Sequence, residues 1–262
     1  MNQFDAADEQ RKSKLVLPIV LLLLAAIVAG VLFFALRVPI PPALPIPPQN
    51  AYDEFVRIGK QVGELPKEDD ERNAEAIGQF VSSHRKLLEE LRLALKMDCV
   101  VPIEYSKDYF DSQLTDISFV RQSARLLQYE ANHKRLLDQP NDAAGIDLEL
   151  LAMSRKLGNG GFTVHRLVGI AYEKLALMNL AETASKLTSE QKKQVLQQLG
   201  AVPGKEPLEL VEQRETAMGT KSVGRIRAIM TRKLSQAANE QTRAMEAEIA
   251  ALEKKAYEAL SE

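Results

Sequence analysis

From Leu15 to Leu36 the chain reads "LVLPIVLLLLAAIVAGVLFFAL", without a single charged residue. No other stretch restricts the fold as strongly. As a helix the run rises roughly 33 Å, enough to cross a hydrocarbon core of about 30 Å. Pro18 falls in its first turn, where a missing N–H costs little. A cleaved secretory signal is the competing reading. The apolar region of a signal is ordinarily only ~7–15 residues long and is followed by small residues, whereas "FFALRV" is bulky. The run is therefore predicted to be a retained, single-pass anchor. Arg11, Lys12 and Lys14 precede it closely, only Arg37 comes closely after it, and the next bases are Arg57 and Lys60. This asymmetry predicts residues 1–14 as a cytoplasmic tail and the bulk of the chain as extracytoplasmic, in a periplasm-like space.

The next stretch, "RVPIPPALPIPPQN", is dense in proline. Proline fixes φ and donates no backbone hydrogen bond, so residues 37–49 are neither helix nor central strand. They are expected to form an extended polyproline stalk that stops the membrane helix and holds the rest of the chain off the bilayer. A PxxP ligand is the alternative, but the stretch lies on the non-cytoplasmic side and lacks the basic residue such ligands carry.

Beyond the stalk the period is helical. The chain is 45% hydrophobic and 27% charged, which is a globular composition, and its net charge of −2 excludes a nucleic-acid binder of the usual strongly basic kind. No hairpin dipeptide sits between alternating runs. Asn50 is a candidate N-cap for a helix carrying Tyr52, Phe55, Val56 and Val62. One long helix is expected over Ile77–Leu95, from the spacing of Ile77, Phe80, Val81, Leu87, Leu88, Leu91 and Leu95. "CVVPIEYSKDYF" interrupts with extended backbone around Pro102. A helix over Ser112–Leu137 is apolar on two faces and so should be sandwiched: Leu114, Ile117, Val120, Ala124, Leu127 and Ala131 on one, Phe119, Leu126 and Leu136 toward the other. Further helices are expected over Asp142–Leu157, Phe162–Lys186 and, from a Thr188 capping box in "TSEQ", up to Gly200. The predicted fold is thus all-α: an array of helical hairpins of tetratricopeptide-like (TPR-like) packing over 50–200, without a true 34-residue repeat. A C-terminal extension over 201–262 carries Met245, Ile249, Leu252 and Ala256 at 4-3-4 spacing, a coiled-coil or docking-helix pattern.

"NAYDEF", "CVVPIEYSKDYF", "RQSARLLQYEA" and "GGFTVHRLVGIAYEKLALMNLAE" occur in this order after a span and a proline-rich stalk. Over about Asn50 to Leu199 the chain resembles an uncharacterised family of single-span membrane proteins of planctomycete-type bacteria. The resemblance implies a helical, repeat-like extracytoplasmic region. It carries over no activity and no catalytic residue.

No constellation of catalytic type is legible. His84, His133 and His165 are each alone in their segments, so a zinc site from local ligands is not expected. His84 is expected as a hydrogen-bonded core residue. Cys99 in "MDCVVP" lacks a nucleophile elbow and is expected as a buried, inert thiol. "GNGGF" lacks the Lys-Ser/Thr and the preceding strand of a phosphate loop, so its glycines read as helix punctuation, with Gly169 allowing close helix approach. "KSVGRIRAIMTRK" is basic without an acid and could meet an anionic surface, though a solvated helix face is the ordinary outcome. Ala26 and Gly30 form a small-xxx-small pair within the span. "IEYSKDYFD" gathers Glu104, Tyr105, Asp108, Tyr109 and Asp111 in an irregular segment, and loops carry function more often than helices. Glu104, Tyr105, Asp108 and His165 are therefore the groove candidates.

The functional expectation is a membrane-anchored, extracytoplasmic helical protein-interaction or scaffold module without catalysis, cofactor or metal. It would contact the membrane through residues 15–36, a protein partner through the array, and another copy of itself through the span or the C-terminal helix. A membrane-anchored hydrolase with a site near 104–111 is the alternative.

Overall fold

The computed structural model describes residues 41–67, 72–105, 107–223 and 225–261, excluding the side chains of 107–113, 219–236 and 238. The expected tail 1–14, span 15–36 and first part of the stalk lie outside the described residues, as do the side chains of the basic stretch 221–233. Among the described residues no helix is long and apolar enough to cross a membrane.

Every regular element among those residues is a helix, and none of them forms a strand. Helix α1 (Ala51–Val62) starts where expected: the Asn50 side chain accepts from the Tyr52 N–H at 3.4 Å. The Asn50 amide also binds Val100 in both directions, at 2.9 and 3.0 Å, so one residue caps the helix and staples it to the 98–105 segment.

The long helix expected over Ile77–Leu95 is two helices, α2 (Ala74–Ser83) and α3 (Arg85–Ala94). The break falls at His84. Its ring Nε2 lies 2.9 Å from the Val62 carbonyl at the end of α1, and Nδ1 lies 2.8 Å from the Phe80 carbonyl. The ring thus reaches the last carbonyl of α1, an end that needs a partner, and the backbone turns to let it.

Helix α4 (Lys107–Leu136) begins earlier than Ser112, so Asp108, Tyr109 and Asp111 are helical and not in a loop. The helix is sandwiched as its two apolar faces require: α1, α2 and α3 pack on one side and α5 (Pro140–Lys156) on the other. Val120, Ala124, Leu126, Leu127 and Ala131 are buried, while Leu114 and Leu136, at the two ends, are exposed. Pro140 occupies the first turn of α5, where its fixed φ suits a helix start. This explains why α5 begins two residues before Asp142.

Helix α6 (Thr163–Thr183) continues into a 3-10 turn (Ala184–Lys186) and then α7 (Ser189–Ala201). The Thr188 capping box is formed: Gln191 N–H donates to Thr188 Oγ1 at 3.3 Å, and Thr188 N–H donates to Gln191 Oε1 at 2.9 Å. Two short-looped hairpins, α4–α5 and α5–α6, therefore succeed one another in the packing. Gly169 brings α5 and α6 together, because a Cβ there would lie 2.5 Å from the Ser154 carbonyl. Gly59 does the same for α1 and α4, since a Cβ there would run into the Phe119 carbonyl.

The C-terminal segment forms α8 (Leu208–Val223) and α9 (Arg225–Ser261). Helix α9 packs on α6, α7 and α8. Ile249, Ala256 and Leu260 belong to the same hydrophobic cluster as α1 and α4–α7, with Met245 and Leu252 against it. The 4-3-4 stripe is spent on this chain's own helices. Residues 40–262 form one compact unit, so 201–262 shares the core of 50–200.

Candidate functional site

Of the four expected groove residues, Tyr105 and His165 come together at one aromatic ring. Glu104 is exposed on the extended 98–105 segment, and Asp108 stands in the first turn of α4. Tyr105 and His165 flank the Phe162 ring, with centroids 6.1 and 6.4 Å away. Tyr105 is half-buried and its hydroxyl donates to the Pro41 carbonyl at 3.1 Å. His165 is 2% exposed, and the Tyr52 ring packs edge-on against it at 5.9 Å. His165 Nδ1 accepts the Phe162 N–H at 3.1 Å, which leaves the proton on Nε2. Burial, with a smaller push from Arg214, lowers its pKa to about 4. His165 is thus a neutral cap on the first turn of α6, out of reach of solvent substrate.

Cys99 is 4% exposed and burial pushes its thiol up to about 12, as expected of an inert sulfur. Among the described residues, no group of three or more His, Cys, Asp and Glu is placed to hold a metal ion.

A concave feature lies elsewhere. An open groove of about 810 Å³ runs between α3, α4, α5 and α7. Leu95, Ile146, Leu148 and Val195 supply its apolar lining, and Gly145 lies in its wall with nothing within 4 Å of where a Cβ would stand. Its rim is ionic. Arg92 Nε donates to both Glu149 oxygens, at 2.9 and 3.0 Å, and Nη2 donates to Glu130 at 2.6 Å. Burial raises the Glu149 pKa, with Arg92 opposing it. Lys134 approaches Asp142 at 3.4 Å.

A second feature was missed in the sequence altogether. Six charges alternate in a chain at the seat of α9: Glu253, Arg155, Glu173, Lys205, Glu246 and Arg166. Arg155 meets Glu253 at 2.8 Å and Glu173 at 3.0 Å; Lys205 meets Glu173 at 3.1 Å and Glu246 at 2.6 Å; Arg166 meets Glu246 at 2.5 Å. Burial pushes the Glu246 carboxyl up, but Lys205 and Arg166 together outweigh it and hold it below the ordinary range. Every carboxylate here is matched by a cation, so the cluster ties helices and presents no free base. A signal existed. Arg166 and Glu173 share the 4-3-4-3 register of Ile170, Leu177 and Leu180, and a charge on an apolar stripe needs a buried partner.

Compared with protein families, curated proteins and solved structures, the chain matches none.

Proposed function

We propose that the protein is a membrane-anchored, extracytoplasmic interaction module: residues 15–36 hold it in the bilayer, the proline stalk spaces it, and the helical unit presents the α5–α7 groove to a protein partner. The groove carries this reading. It is open, part apolar and part charged, a surface that suits a protein segment better than a small reactant. Consecutive antiparallel hairpins with a groove across them also suit a TPR-like array and the family resemblance. The hydrolase reading lacks support of this kind, since His165 is buried and neutral while Glu104 is exposed.

The test is crosslinking and recovery of the full chain from its native membrane, beside the variant Gly145→Arg. A Cβ at Gly145 meets nothing within 4 Å and Gly145 lines the groove, so the substitution starts from open space. A reproducible partner lost in the variant is the expected result. Recovery of no partner, or of the same partner with Gly145→Arg, overturns the proposal.

A further inference from the structure

The glycine-containing loop "GNGGF" is held from two sides. On one side stands the segment that leads into α8. The Gly160 N–H donates to Glu206 Oε2 at 3.0 Å, and the Thr163 N–H at the start of α6 donates to Glu215 Oε2 at 3.1 Å. Arg214 Nε donates to the Gly161 carbonyl at 2.9 Å, and its Nη1 donates to Glu206 Oε1 at 3.0 Å, with Nη2 on the other oxygen. Glu215 thus occupies a backbone donor at the N-terminus of α6, where negative charge is favoured, and Glu206 occupies one in the loop before it. Arg214 is 3% exposed, so this is an interior clamp and not a surface ion pair.

On the other side stand the 98–105 segment and stalk residue Leu44. The Asn159 amide donates to the Cys99 carbonyl at 2.7 Å, and the Val101 N–H donates to the Asn159 carbonyl at 2.9 Å. Gly160 has φ +76°, and a Cβ there would lie 3.3 Å from Leu44 and 3.0 Å from Val100. The loop backbone is therefore pressed against the stalk at a position that only glycine fills without strain. Phe162 closes the contact through Tyr105, whose hydroxyl holds Pro41.

We propose that the segment from Lys205 to Glu215 is a strap that holds the described part of the proline stalk, Pro41 to Leu44, against the helical unit. The strap fixes the loop, and the loop, through Leu44, Tyr105 and the 98–105 segment, fixes the stalk. Lys205 also joins Glu173 and Glu246, so the strap links the seat of α9 to the stalk. The strap stands whatever the groove binds, and its test does not depend on a partner.

The experiment places a nitroxide on the full chain in detergent, at Ile46→Cys in a Cys99→Ala background, and reads its mobility by electron paramagnetic resonance. Ile46 is 54% exposed, so the label does not displace the core. Arg214→Gln and Glu206→Gln are each expected to shorten the correlation time at Ile46 by about twofold or more, because the loop then opens locally while the unit stays folded. Arg92→Gln, which breaks ion pairs at the groove, leaves it unchanged. An unchanged spectrum in the folded strap variants overturns the proposal, and so does equal loosening by Arg92→Gln, which would mean general softening. Should both strap variants fail to fold, Glu215→Gln decides by the same reading.

Discussion

His165 and Asp147 are both almost fully buried, and they respond to acid in opposite directions. Burial lowers the His165 pKa to about 4, against an ordinary 6.5. Its neutral form is the folded form, so its contribution is present above pH 6.5 and is lost as pH falls toward 4. Burial raises the Asp147 pKa from 3.8 to about 6, although Arg135 at 2.7 Å and the Asn179 amide at 3.3 Å pull the other way. Its contribution is full below pH 3.8 and is lost as pH rises through 6. Each is worth on the order of 3 kcal/mol. Between pH 4 and 6 the two nearly cancel. His165→Asn keeps an acceptor for the Phe162 N–H and removes the ionisation, so its stability should rise relative to wild type as pH falls from 6.5 to 4. Asp147→Asn should show the opposite slope. Urea unfolding of the full chain at pH 4, 5, 6 and 7 reads both; parallel curves for all three proteins would show that neither group titrates as its burial demands. Cys99, pushed up to about 12, should resist thiol reagents in the native protein and react only on unfolding.

Between helices, stability turns on whether two backbones need to touch. Gly59→Ala drives a methyl into the Phe119 carbonyl of α4 and should cost about 1–3 kcal/mol. Gly145→Ala, also mid-helix, meets nothing within 4 Å and should stabilise by about 0.5–1 kcal/mol. Thermal unfolding monitored by circular dichroism separates the two signs. Glu173→Ala leaves Arg155 and Lys205 without their shared carboxylate in a buried place and should cost about 3–5 kcal/mol. These elements also mark how much a sequence can disclose. The caps at Asn50 and Thr188 are local chemistry within three residues, and both were legible. The close approach at Gly169 was legible too, whereas the one at Gly59 was not, because its partner lies on another helix far along the chain. The break at His84 was hidden for the same reason: the apolar spacing runs straight through it, and the carbonyl that turns the ring belongs to Val62. The groove candidates drew on the interruption at Pro102, but the helix resumes at Lys107 and removes Asp108 from the loop. The groove between α5 and α7 is made by helices distant in sequence, so no local pattern announced it.

At the scale of the molecule the question is whether α9 is an appendage or part of the core. The charge chain answers through its topology: Arg155 is on α5, Glu173 and Arg166 on α6, Lys205 before α8, and Glu246 and Glu253 on α9. Removing α9 strips two acids from cations that are otherwise shielded from water, as Arg155 is 7% and Arg166 4% exposed. It also uncovers the apolar faces of the core cluster to which Ile249, Ala256 and Leu260 belong. A chain ended after Glu240 loses both terms at once, the burial of three apolar side chains at roughly 1–3 kcal/mol each and the ion pairing. Domains hold together by only about 5–15 kcal/mol. The truncated chain should therefore lose its cooperative thermal transition and expose apolar surface to a dye. An independent extension makes the opposite demand, an unchanged melting temperature and helicity reduced only by the residues removed. Circular dichroism melting of the two chains in the same detergent distinguishes these outcomes. Helicity lost beyond the deleted residues is the decisive quantity, since it counts helices that were folded only because α9 lay against them.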